Sequence, residues 1–126
     1  MIAACLVECG RMTINQLKIY TPAKDFVESK RFYQALGFEL TEAWGGNVDC
    51  KLGNAEFRLQ NYYAKEWAEN FMMQFWVDDV DAWHEHAKSV IESGKFNAVV
   101  KAPETVDGSK LFHVWDPCGV LLIFIQ

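Results

Sequence analysis

The first half of the chain alternates between two spacings of hydrophobic residues. Ile14 to Tyr20 has the two-residue period of a strand, and Thr21-Pro22 closes it. Lys24 to Leu36 instead places its apolar side chains on one helical stripe, and Gly37 stands where a left-handed C-cap is expected. Three short strands are predicted to follow: Phe38–Thr41, Val48–Leu52 and Ala55–Gln60.

The second half repeats this order of elements. A strand is predicted from Phe71 to Val77. A helix is predicted from Val80 to Ser93, with Asp78-Asp79 as its N-cap and Gly94 at its C-terminal end. His84 and His86 are predicted to lie on the solvated face of this helix. Three further strands are predicted: Asn97–Lys101, Lys110–Trp115 and Val120–Ile125. Each half is therefore βαβββ, and the chain contains an internal repeat.

This pattern predicts an α+β fold in which two βαβββ modules form a curved mixed sheet. With 126 residues the chain is long enough for one domain with a core that needs no disulfides. We expect an N-terminal extension over residues 1–12 and a single domain over 13–126. Within it, module 1 covers about 13–60, the linker is 61–70, and module 2 covers about 71–126.

The composition argues against some classes of binding partner. The net charge of −5 and the pI near 5.1 argue against nucleic acid, because phosphate binding needs a basic face. No apolar run reaches transmembrane length, so no membrane partner is expected. The four cysteines lack metal-ligand spacing and indicate a cytoplasmic protein with reduced thiols. Aromatic residues make up 14%, which is enough to line a cavity as well as a core.

Four short motifs point to a family. They are Phe32-Tyr33, Leu36-Gly37-Phe38, Val77-Asp78-Asp79-Val80-Asp81 and Asp116-Pro117-Cys118-Gly119. In this order, and over about residues 13–126, the chain resembles the vicinal oxygen chelate superfamily of glyoxalase I, extradiol dioxygenases, fosfomycin-resistance enzymes and bleomycin-resistance proteins. The resemblance implies that the two modules enclose a cleft and that the protein is a homodimer.

The resemblance also implies a test for a metal site. Many members bind one divalent ion through His, Glu or Gln side chains on the first and last strands of each module. The first-strand positions here resemble Gln16 and Gln74, and the last-strand positions, four residues after the turn glycine, are Phe57 and Ile123. Two amides facing two hydrocarbons are a poor site for a divalent ion. We therefore expect no metal, no cofactor and no catalytic residue.

Alternation along the strands predicts a mostly apolar ligand cleft with a few polar groups. The candidate ligand-binding residues are Gln16, Lys18, Tyr20, Phe57, Leu59, Met72, Gln74, Trp76 and Ile123, with His113 at the rim. Glu56 and Arg58 are assigned instead to the outer, solvated side of their strand. The alternative is that the apolar side chains only fill the core.

Three functions are compatible with these residues. The first is a metal-free small-molecule binding protein, similar to bleomycin-resistance proteins, that sequesters an aromatic or cationic ligand. The second is a metal-dependent glyoxalase, lyase or dioxygenase of the same superfamily. The third is a partner-binding module whose cleft is filled. The apolar residue Ile123, in place of a metal-binding Glu, favours the first.

Overall fold

Each half of the chain builds a mixed sheet against its own long helix. The computed structural model describes residues 12–126. The elements of module 1 are β1 Tyr20–Pro22, α1 Phe26–Leu36, β2 Glu39–Glu42, β3 Val48–Leu52 and β4 Ala55–Gln60, with a 3₁₀ turn at Trp44–Gly46. The remaining elements are α2 Lys65–Glu69, β5 Met72–Trp76, α3 Val80–Gly94, β6 Val99–Val100, β7 Glu104–Val106, β8 Ser109–Trp115 and β9 Leu121–Ile125.

The strands form two hydrogen-bonded sheets. Sheet A has the order β1-β4-β3-β2, and sheet B has the order β5-β9-β8-β6 with β7 also paired to β8. The first strand of each module runs parallel to the last (β1 with β4, β5 with β9), and the other pairs are antiparallel. The predicted α+β class and the two mixed βαβββ modules are thus confirmed.

The two long helices begin at equivalent points in the repeat. The side chain of Asp25 accepts a hydrogen bond from the backbone N–H of Glu28 at 3.1 Å, and Asp79 accepts one from Ala82 at 3.0 Å. Each carboxylate satisfies a free N–H at the positive end of its helix. These two caps give a fixed point from which the modules can be aligned.

The modules share one core. The ring of Phe38 in module 1 lies 5.4 Å from Phe57 and 5.9 Å from Phe75 of module 2, measured between centroids. Phe75 in turn lies 5.2 Å from Phe124. Edge-on and tilted rings at these distances pack favourably, so the aromatic side chains join sheet A to sheet B.

The first strand is shorter than predicted and lies later in the sequence. Residues 12–19 form no strand, and Ile14 and Leu17 are 86% and 73% exposed. The end of this segment reaches β4, since the carbonyl oxygen of Ile19 accepts a hydrogen bond from the backbone N–H of Arg58 at 2.8 Å. β1 ends at Pro22, as predicted, and Pro22 itself pairs with Gln60 because an edge strand tolerates a residue without an N–H.

The second module departs from prediction at the end of its helix. Gly94 is the last residue of α3, and Lys95, one residue later than predicted, takes the left-handed C-cap with φ of 53°. A side chain at Gly94 would collide with the ring of Phe96, so the glycine is required for space. His86 is not simply solvated, since its Nε2 lies 2.9 Å from the carbonyl oxygen of Leu36 at the end of α1.

Two elements were not predicted. The linker 61–70 contains the short helix α2, and β7 adds a strand beside β8. Most of the predicted extension, residues 1–11, lies outside the described residues, so the division at residue 12 stays a prediction. In the described part of the chain, no helix is long and apolar enough to cross a membrane.

Candidate ligand-binding site

Five of the predicted ligand-binding residues share the outer face of sheet B. Strand pairing places Gln74 beside Ile123, and Ile123 beside His113. Met72 and Trp76 flank Gln74 on the same face of β5. Their side chains are 61% and 66% exposed, although both are large and apolar. This face therefore offers an aromatic and aliphatic surface with one amide and one imidazole.

The polar groups on this face are partly oriented by the protein. The indole N–H of Trp76 donates a hydrogen bond to Oε1 of Gln74 at 2.8 Å. The His113 ring lies 5.8 Å from the Trp115 ring, in a tilted arrangement. The Gln74 NH₂ group bonds to no other group in residues 12–126, so it can donate to a ligand.

Sheet A presents a different set of residues from the predicted one. Tyr20 pairs with Arg58, and Thr21 pairs with Leu59. Residues paired in this way lie on the same face of a sheet, so Arg58 accompanies Tyr20. Phe57 and Leu59 lie on the opposite face and are buried in the core. Their predicted position in the cleft is therefore wrong by one residue, and Gln16 lies exposed outside any strand.

The helix caps explain this error. Tyr20 precedes its cap Asp25 by five positions, and Gln74 precedes its cap Asp79 by five positions. Tyr20 is thus the equivalent of Gln74, and its neighbour Arg58 is the equivalent of Ile123. The turn glycines do not give this correspondence, because four residues after Gly53 is Phe57 whereas four residues after Gly119 is Ile123. Counting back five residues from each cap identifies Tyr20 as the equivalent of Gln74, whereas its pairing with Arg58 is seen only in the structure.

An ion-pair network holds Arg58 in place. Its Nε donates to Oδ1 of Asp49 at 2.8 Å, and its Nη2 donates to Oδ2 at 3.3 Å. The Lys18 ammonium donates to Asp49 at 3.0 Å and to Glu56 at 3.4 Å. We refer to Lys18, Asp49, Glu56 and Arg58 as the charged network.

The ion pairs of the charged network shift the pKa values of its members. Hydrogen bonds from Arg58 lower the pKa of the Asp49 carboxyl, and those from Lys18 act in the same direction. Hydrogen bonding to Asp49 raises the pKa of both Lys18 and Arg58. All three groups therefore stay charged near neutral pH.

The residues at the family's metal positions do not fit a divalent ion. The four aligned positions carry a phenol, a guanidinium, an amide and a hydrocarbon, from Tyr20, Arg58, Gln74 and Ile123. A permanently charged guanidinium repels a cation, and Ile123 has no donor atom. Across residues 12–126, no three His, Cys, Asp or Glu side chains lie together in a group that could hold a metal.

The thiols of the described region are poor nucleophiles. Burial raises the pKa of Cys50 to about 12 and that of Cys118 to about 11. A thiol with such a pKa is almost entirely protonated at neutral pH, and the thiolate is the reactive form. Cysteine-based covalent chemistry at these two positions is therefore not supported.

A groove with a volume of about 730 Å³ opens beside β5. It lies between the tip of the β3–β4 hairpin, residues 52–55, and the segment from Gln74 to Asp79 that leads into α3. Gln74 and Trp76 therefore border both the outer face of sheet B and this groove. The other predicted site residues do not line it.

Comparison with known proteins agrees with this fold. The sequence profile of the Glyoxalase/Bleomycin resistance protein/Dioxygenase superfamily matches residues 13–124. The chain therefore belongs to this superfamily. A search of curated protein sequences finds no significant match.

Solved structures share the fold. A bleomycin-binding protein in complex with bleomycin is 25% identical, with a TM-score of 0.72, over 90% of this chain and 98% of its own. A hypothetical protein from S. aureus is 20% identical, with a TM-score of 0.73, over 93% and 97% of the two chains. An antibiotic-binding protein from Streptomyces sp. CB03234 is 21% identical, with a TM-score of 0.70, over 92% and 98%.

Proposed function

We propose that the protein is a metal-free small-molecule binding protein that sequesters an aromatic or cationic ligand on the outer face of sheet B. The observation that carries the proposal is the row formed by Gln74, Ile123 and His113, in which an apolar residue takes the place of a metal ligand. Without a metal donor at this point, the face is suited to contact a ligand and unsuited to activate one.

Exposed aromatic and sulfur-containing side chains supply the contact area. Trp76 and Met72 project from β5 with most of their surface exposed. A flat aromatic ligand that covers them gains hydrophobic free energy, and the indole face also attracts a cation. The net charge of −5 favours a cationic ligand at longer range.

The charged network provides a polar wall nearby. The edges of the two sheets approach each other where Thr21 Oγ1 lies 3.8 Å from the Met73 sulfur. The Arg58 guanidinium has N–H groups beyond those bonded to Asp49 and Tyr20, so it can still donate to an acceptor on a ligand. We infer that Lys18 and Tyr20 belong to this polar wall.

The relatives support binding of a small molecule. One similar structure is a bleomycin-binding protein and another is an antibiotic-binding protein. A ligand of related chemistry, with aromatic rings and a positive charge, suits the face described above. We also propose a cytoplasmic homodimer, in which a second copy covers this open apolar face and turns it into a cleft.

Calorimetric titration with metal-free bleomycin as the probe tests the proposal. Ile123→Lys places a charge in the centre of the row formed by Gln74, Ile123 and His113, and we expect it to weaken binding at least about tenfold. Val27→Lys is the matched control, because Val27 is 62% exposed on α1, away from the site, and should leave binding unchanged. Circular dichroism verifies that both variants fold.

Two results would contradict the proposal. One is equal binding by the wild type and Ile123→Lys across a panel of aromatic and cationic compounds that includes bleomycin. The other is stoichiometric nickel, zinc, manganese or iron in protein purified without a chelator, together with a turnover that is lost when the metal is removed.

A further inference from the structure

We propose that the groove beside β5 is a second small-molecule site, which takes a planar aromatic compound with a basic group. It shares Gln74 and Trp76 with the outer face of sheet B, but it lies along the edge of β5 and its floor consists of core-facing rings. Its volume of about 730 Å³ falls within the usual range of ligand pockets, about 300–1,000 Å³.

The floor of the groove is aromatic. Phe38, Phe75, Trp83 and Phe124 all line it. Trp83 stacks on Phe124 at 5.0 Å between centroids, and Phe75 lies 5.2 Å from Phe124. Because these rings are fixed by one another, the floor is preformed and loses little entropy when a flat ligand covers it.

One wall of the groove is an unpaired strand edge. The carbonyl of Phe71 and the N–H of Val77 both bond to β9. Alternation along a strand then directs the N–H and C=O groups of Gln74 and Trp76 away from β9, toward the free edge. Sheet B has no strand on this side of β5 in the described residues. These groups can pair with a donor and an adjacent acceptor on a planar ligand.

The opposite wall leaves room for a ligand. It is the tip of the β3–β4 hairpin, where Gly53 has a φ of 59° and a side-chain carbon added at its Cα would meet no atom within 4 Å. Leu52 and Ala55 supply the remaining apolar surface of this wall. The groove is therefore open on this side and is not blocked by packed side chains.

The charge of the residues that line the groove favours a positively charged ligand. Asp78 and Asp79 lie at one end, and no Lys, Arg or His side chain is among the described residues that line the groove. Asp79 is occupied as the cap of α3, whereas Asp78 forms no hydrogen bond or ion pair with the residues that the structure describes. A basic group on the ligand can pair with Asp78 while the rings cover the aromatic floor.

Fluorescence titration with proflavine, a planar cationic dye that carries amino groups, tests the site. Ala82 lines the groove, so Ala82→Trp fills it, and we expect affinity for this site to fall at least about tenfold. Ala102→Trp, at an exposed alanine outside the groove, should have no effect. Asp78→Asn should weaken binding about threefold, as for an exposed ion pair, with Asp107→Asn unchanged.

Substitutions in the groove and on the outer face of sheet B distinguish binding at the two sites. Ile123 lies on the outer face of sheet B and does not line the groove, so the site sensitive to Ala82→Trp must persist in Ile123→Lys. The inference is overturned if proflavine does not bind, if Ala82→Trp binds like the wild type, or if anthracene-9-carboxylate binds as tightly as proflavine. It is also overturned if Ala82→Trp changes the sedimentation of the free protein, since the groove would then hold a second copy.

Discussion

At the scale of single residues, one buried hydrogen bond joins the two modules. The Tyr33 hydroxyl, on α1, donates to Asp116 at 2.6 Å. Asp116 also accepts from the backbone N–H of Cys118 at 2.8 Å and of Val120 at 3.0 Å, which fixes the turn before β9. Burial raises the pKa of Asp116 and, more strongly, that of Tyr33.

Removal of this hydroxyl should destabilise the protein without changing its fold. We predict that Tyr33→Phe lowers the free energy of unfolding by about 1–3 kcal/mol, because a buried carboxyl loses a partner. Urea unfolding followed by circular dichroism measures the change. Tyr62→Phe is the control, since the Tyr62 side chain is 57% exposed. Equal losses in the two variants would show that the buried bond contributes nothing specific.

The sequence predicted which residues of one strand share a face better than how two strands align. The predicted common face of Gln74, Trp76 and Ile123 agrees with the strand pairing, because β5 and β9 alternate regularly, and His113 lies beside Ile123. Phe57 was placed wrongly, because alternation determines which residues of one strand share a face and does not determine how two strands align. That alignment depends on the length of the β3–β4 hairpin. The turn glycines alone do not show how this length compares with that of the β8–β9 hairpin in module 2.

At the scale of elements, the charged network connects three segments of sheet A. Asp49 on β3 binds Arg58 on β4 and Lys18, which precedes β1. With a short β1 of three residues, these ion pairs add a link between the N-terminal segment and the sheet. The network is partly exposed, so each pair contributes modestly.

The stabilisation that Asp49 contributes should decrease at low pH. Folding lowers the pKa of the Asp49 carboxyl below its usual value near 4. The ionised carboxylate therefore stabilises the folded protein at pH values above about 4, and this stabilisation is lost as the pH falls through the pKa of the folded state. We predict that Asp49→Asn lowers the free energy of unfolding by about 1 kcal/mol at pH 7. The difference from the wild type should then shrink as pH falls below about 4.

Chemical denaturation at a series of pH values measures this difference. Asp107→Asn serves as a control, because Asp107 is an exposed turn residue in a left-handed conformation that asparagine also adopts. A difference that stays constant down to about pH 2, well below the ordinary carboxyl range, would contradict the assignment of the stabilisation to the ionised Asp49.

At the scale of the whole molecule, the modules are equivalent in topology but not independent. Their contact includes the Phe38–Phe75 pair, the Tyr33–Asp116 bond and the bond between His86 and Leu36. Each module alone would expose one side of this shared core. The sequence could reveal the repeat, but not this contact, because the groove and the core are assembled from residues far apart in the chain.

We therefore predict that residues 71–126 do not fold as an isolated fragment, whereas the whole chain unfolds in one cooperative transition. Proton NMR of the fragment should show poor dispersion, because the aromatic side chains that face module 1 are exposed to water. The intact protein, measured under the same conditions, is the control. A well-dispersed spectrum from the fragment would show that module 2 carries its own complete core.

The pairing of Arg58 with Tyr20 in one module, and of Ile123 with Gln74 in the other, has a consequence for how binding specificity can change. A protein built from two identical βαβββ subunits would alter both walls with every mutation. Because both modules are encoded in one chain, the charged wall and the apolar wall can mutate separately. Libraries that vary Arg58 and Asp49 while Ile123 and Trp76 are held constant should therefore change the preferred polar group of a ligand and retain its aromatic part.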